Sequence, residues 1–140
     1  MGVRDLIIYQ KMYDAALYAL PILNRLPKSY RGSLARDLQA CLVHLLTGIV
    51  AANADPARRA SVLCDLDVEL EVARVLLRLS HDLQVVPTKQ YGLLSQRLDE
   101  VGRLLGGWRG RSGSGAGGQR RRSEAATGTT ARMPASSPST

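Results

Sequence analysis

At 140 residues the chain has room for one domain, and with 45% hydrophobic residues, 4% aromatic and no Phe, its core must be built from Leu, Val, Ala and Ile. That composition excludes a disulfide-stapled or aromatic-rich β architecture and points to an all-α helical bundle. The formal net charge of +7 is unevenly spread: thirteen Lys and Arg face eleven Asp and Glu up to Trp108, whereas six face one after it. A bulk inference from net charge to nucleic acid is therefore unsafe, and any such case must rest on where the arginines of the first 108 residues lie.

Four periodic segments follow one another. In the first, Leu6, Tyr9, Tyr13, Leu17, Leu20 and Leu23 recur at steps of three or four, which predicts a helix with that face toward the core, kinked where Pro21 removes a backbone donor. Leu26-Pro27-Lys28 ends it, and Ser29 or Ser33 is expected to cap the next segment. There Leu34, Leu38, Cys41, Leu45, Gly48 and Ala52 form a bundle seam, followed by a tight link in which Asp55 caps and Pro56 takes the first helical position. In the third, Leu63, Leu66, Leu70, Ala73, Leu77 and Ser80 form the seam, widened by Val62, Val72, Leu76, Leu79 and Leu83. A face that wide predicts a second apolar contact and self-association. Val86-Pro87-Thr88 starts the fourth, where Tyr91, Leu94, Leu98, Val101, Leu105 and Trp108 share one face.

From Arg109 onward Gly, Ser, Arg, Ala, Thr and Pro dominate, a composition that cannot bury enough apolar surface to offset the entropy of ordering. The expected organisation is a bundle over 1–108 and a disordered tail over 109–140. Cys41 and Cys64 have no partner at metal-ligand spacing and read as core thiols in a reducing compartment. The most apolar run, Cys41 to Ala52, is short for a membrane span and contains His44, and the start has no long apolar stretch. A cytoplasmic protein without membrane association is expected.

The closing sequence Arg97-Leu-Asp-Glu-Val-Gly-Arg-Leu-Leu-Gly-Gly-Trp108 resembles the last helix of the accessory variability determinant (Avd) proteins of diversity-generating retroelements. Three further stretches are similar to the same family: Tyr18 to Arg31, with its Pro21-Ile22 and Pro27-Lys28; Leu34 to Leu46; and Asp65 to Leu83, where Arg74 and Arg78 stand one turn apart. The resemblance implies an up-down four-helix bundle assembling as a homopentameric barrel. It also implies a non-catalytic accessory role, in which a basic surface binds the reverse transcriptase and its template RNA in support of mutagenic cDNA synthesis. The four-helix proteins of ribosomal intervening sequences are a sister group. Their Asn-Ile-Ala-Glu-Gly type motif is replaced here by Leu45-Leu-Thr-Gly-Ile-Val-Ala-Ala-Asn53, which favours the retroelement branch.

Two groups of cations are candidates for the basic surface. Arg74 and Arg78 are like charges at i and i+4, a spacing that costs a few tenths of a kcal/mol unless an anion faces them; Glu71 and Asp82 are within reach as intrahelical partners. Arg25, Lys28, Arg31 and Arg36 have no acid between Asp14 and Asp37 and suit phosphate contacts that read no bases. Their resemblance to the family's basic positions favours the functional reading of both groups.

Asp65, Asp67, Glu69 and Glu71 read as a solvated acidic face, since no Glu-x-x-His pair accompanies them. His81, seven residues after Arg74, loosely satisfies a spacing of the HEPN ribonucleases, but the chain offers no nucleophile, base and orienting group in register. His44, in an apolar helix, reads as a core histidine. No catalytic residue, metal or cofactor is expected.

Overall fold

The structure, a computed structural model, describes the backbone of residues 2–132 and the side chains through Ser112. Four helices account for nearly all of it: α1 (Val3–Asn24), α2 (Lys28–Ala54), α3 (Arg59–Asp82) and α4 (Thr88–Arg132). No strand occurs among the described residues. The composition-based tail at 109–140 falls mostly beyond the described side chains, and residues 133–140 lie outside the described residues altogether. The compact four-helix unit ends at Arg109.

Cross-helix pairs fix the topology. Lys11 meets Glu100 and Tyr18 meets Arg97, so α1 and α4 run antiparallel. His44 meets Glu69 between α2 and α3, and Arg74 meets Asp99 between α3 and α4, again with opposed chain directions. With α1 also packed on α2, each helix touches its sequence neighbours and the ring closes between first and last, which is an up-down four-helix arrangement. The α1–α2 and α3–α4 connections therefore share one end of the bundle, and the α2–α3 connection lies at the other.

The core is aliphatic, as the composition requires. Leu38, Leu42, Leu45 and Ile49 of α2, Leu63, Leu70 and Leu77 of α3, and Leu94, Leu98 and Leu105 of α4 are buried, with Trp108 at the last turn. Three of the four predicted seams are the buried ones. α2 is long and apolar enough to cross a membrane by length and composition, but its largest aliphatic side chains are enclosed by the other helices. Gly48 leaves room for Leu66: a Cβ there would meet the tip of that side chain, which would have to shift aside.

The first helix differs from its predicted face. Leu6, Tyr13 and Leu17 are exposed, and the buried stripe is Ile8, Met12, Ala15, Ala16, Ala19 and Leu23. α1 is apolar on two sides, and the core takes the side whose small alanines allow close packing. The helix continues through Pro21 to Asn24.

Two helix starts depart from expectation, and one helix end carries an unusual backbone conformation. Neither Ser29 nor Ser33 caps α2; Tyr30 N–H donates to the Pro27 carbonyl at 2.8 Å, and Arg31–Ala35 form a π-helical turn before regular helix resumes at Arg36. Asp55 Oδ1 accepts from Ala57 N–H at 3.2 Å, but α3 begins only at Arg59. α3 closes on a left-handed Gln84 (φ 63°), with Val85 N–H donating to Ser80 O at 3.0 Å, a position where glycine is the unstrained choice.

Candidate nucleic-acid and partner interface

The antiparallel topology gathers charges that are far apart in sequence. Cutting the helices at Tyr13, Cys41, Leu70 and Leu98 divides residues 2–109 into two ends. The end with the α1–α2 and α3–α4 connections holds eight cations, Arg25, Lys28, Arg31, Arg36, Arg74, Arg78, Lys89 and Arg97, against four acids, Asp14, Asp37, Glu71 and Asp82. The opposite end holds six cations against seven acids. The bundle is thus electrostatically lopsided although its total is nearly balanced.

The cations of the basic end are mostly free. Arg25, Lys28, Arg31 and Lys89 are exposed and make no ion pair among the described residues. Arg36 reaches only its neighbour Asp37 at 3.6 Å, and Arg78 only Asp82 at 3.8 Å; both arginine side chains are more than 70% exposed. Contacts so long and so exposed contribute little. No motif singles out Lys89. Its signal is the loop position alone, which places it at this end only once the topology is known.

Arg74 is built in differently. Its Nη1 lies 3.3 Å from Asp99 on α4 and 3.7 Å from Glu71, its side chain is 36% exposed, and its Nε is buried without a hydrogen-bond partner among the described residues. Gly102 makes the room: a Cβ there would stand 2.7 Å from Arg74 Nη2. Arg74 is therefore a cross-helix strut with one edge facing solvent, and Arg78 is the accessible member of the pair.

At the opposite end two arginines, Arg59 and Arg109, serve as straps. Arg59 Nε donates to Ala52 O at 2.9 Å and Nη2 to Asn53 O at 3.4 Å, meeting the otherwise unpaired carbonyls at the end of α2, while its guanidinium lies 5.5 Å from the centre of the Trp108 ring. Arg109 pairs with Asp67. The acidic run of α3 is accordingly divided: Asp67 and Glu71 turn toward arginines, and Glu69 toward His44 of α2 at 3.3 Å.

His44 is thus an exposed surface partner rather than a core histidine. Cys41 is buried, and burial together with a hydrogen bond to Glu69 pushes its thiol up to about 11. Cys64, one position off the Leu63 seam, is exposed instead of in the core.

His81 donates or accepts at Thr88 Oγ1 over 3.1 Å and stacks on Tyr91, with ring centroids 4.4 Å apart. It lies two turns from Arg74, roughly 10 Å along the helix axis. The two side chains are engaged with different partners, Arg74 with Asp99 and Glu71 and His81 with Thr88 and Tyr91, so nothing in the geometry adds to the ribonuclease alternative.

A model of the bAvd-like family matches residues 6–112. The chain belongs to that family. The match covers all four helices of the bundle and includes Arg74, Gly102 and Trp108, whose contacts give the signature residues of this bAvd-like chain physical roles. No curated protein matches it.

Proposed function

We propose that the chain is a cytoplasmic, non-catalytic accessory protein of a diversity-generating retroelement. It binds the reverse transcriptase and template RNA through the basic end and supports mutagenic cDNA synthesis, with the polymerising chemistry left to the enzyme. Membership of the bAvd-like family supports the accessory role. The observation that carries the interface is the gathering of Arg25, Lys28, Arg31, Arg78 and Lys89 at one end with few acids beside them. Free guanidinium and ammonium groups attract phosphates over a Debye length and give salt-dependent binding without base readout. Arg36 and Arg74 flank this surface, and Arg74 supplies position as much as charge.

We assign the assembly as a homopentamer. Two apolar stripes remain uncovered on the single bundle: Leu6, Tyr13 and Leu17 on α1, and Val68, Val72 and Leu79 on α3. These helices are diagonal in the ring of four, so the stripes lie on opposite sides. Two different patches on opposite sides suit head-to-tail contacts that close into a ring.

Co-expression with the cognate reverse transcriptase and template RNA, followed by affinity capture and native mass measurement, tests the reading. Both partners are expected to be retained on a five-copy particle. A monomer that captures neither would refute it.

A further inference from the structure

Beside the basic end, between α3 and α4, a groove of about 320 Å³ is lined by Arg74, Val75, Arg78, Tyr91, Ser95 and Asp99. That volume is at the lower end of the range for small-ligand sites, and the lining is graded in chemistry. Val75 offers an exposed aliphatic wall. The half-buried Tyr91 ring is held by His81, stacked at 4.4 Å with planes 17° apart, and His81 is itself fixed by Thr88. Ser95 adds a hydroxyl. Asp99 meets Arg74 through Oδ1 at 3.3 Å, and its side chain is more than half exposed, so the carboxylate can accept a further hydrogen bond. Arg78 stands at the rim with its side chain 77% exposed.

An apolar and aromatic surface, a neutral hydroxyl, a half-exposed carboxylate and a cation at the mouth are what an unstacked nucleotide can use. Its base needs a packing surface and acceptors for its amine, and its phosphate needs the guanidinium. An acidic peptide fits less well, because Asp99 lies inside and Asp82 beside the rim.

We propose that this groove takes one unstacked nucleotide of a single-stranded RNA. The base packs on Val75 and Tyr91, an exocyclic amine donates to Asp99, and the phosphate lies on Arg78. This rests on the RNA reading above and adds base dependence to it. Cytosine, which carries an amine, is favoured over uracil, which presents a carbonyl at the same place.

Fluorescence anisotropy on the full chain tests this with short oligo(C), oligo(U) and an abasic ribose-phosphate strand. Oligo(C) is expected to bind about tenfold more tightly than the abasic strand, as one stacked base contributes, and more tightly than oligo(U). Tyr91→Leu and Ser95→Val, each checked for an unchanged melting curve, are expected to reduce oligo(C) affinity and leave the abasic strand alone. Asp99→Ala is expected to bring the ratio of oligo(C) to oligo(U) to about one, while Arg78→Ala weakens all three strands alike. Equal binding of base-bearing and abasic strands overturns the groove and leaves the basic end standing. Absence of binding to every strand overturns both.

Discussion

The two ends of this bundle contain arginines put to opposite uses. At the end with the α2–α3 connection, Arg59 is tied to two carbonyls and an indole, and Arg109 to Asp67. At the other, Arg25, Lys28, Arg31 and Lys89 have no ion-pair partner among the described residues, and Arg78 has only a long exposed one. An arginine paired within its own fold adds stability and little external field, whereas an unpaired one adds field and little stability. Arg4, Arg58 and Arg103 of the first end are exposed and without an ion pair among the described residues as well, so the candidate interface is marked by its excess of cations over acids together with the exposure of those cations.

The sharpest way to break the comparison is to strip the free end. Replacing Arg25, Lys28, Arg31 and Arg78 together by Ala is expected to weaken single-stranded RNA binding by about two orders of magnitude near physiological salt, and to lower the log–log salt slope by about 3 units. Arg4→Ala with Arg58→Ala, at the opposite end, is expected to leave affinity within about twofold; filter binding over a salt series separates the outcomes. An equal loss from both sets would mean that the charge works only in bulk.

A strap should behave in the reverse sense. Arg59→Ala is expected to cost about 2 kcal/mol in urea unfolding, since it removes hydrogen bonds from a charged donor and the contact with Trp108, and to leave RNA affinity unchanged. Arg74 and Arg78 sharpen the contrast within one helix. Arg74→Ala is expected to lower stability by about 1 kcal/mol through the lost strut. Arg78→Ala is expected to change stability by less than about 0.5 kcal/mol while reducing binding. The smallest effect belongs to the α3–α4 corner: Gln84→Gly is expected to raise stability by about 0.5–1 kcal/mol by relieving the left-handed conformation.

The seams of α2, α3 and α4 were legible because in each a run of Leu, with small residues among them, keeps one heptad-like register from end to end, while the further apolar residues of α2 and α3 are chiefly Val off that line. The face of α1 was not, because Leu6, Tyr13 and Leu17 form a stripe as regular as Ile8, Met12 and Ala19, and only the neighbouring helices decide which turns inward. The arginines could be found as residues but not sorted by role. Their decisive partners, Asp99 for Arg74 and Asp67 for Arg109, lie 25 and 42 positions away. Gly102 as the space for Arg74 is visible only when α3 and α4 are side by side.

The π-helical turn at Arg31–Ala35 sets the aim of the basic corner. Such a turn holds one residue more than the regular repeat, so what precedes it is rotated by about 100° about the axis relative to an uninterrupted helix. Shortening the chain there by one residue, at Gly32 or Ser33, would swing Lys28 and Arg31 sideways without altering a single charge. The extra residue thus acts as a fixed angular offset, and orientation becomes a property that can be varied separately from composition.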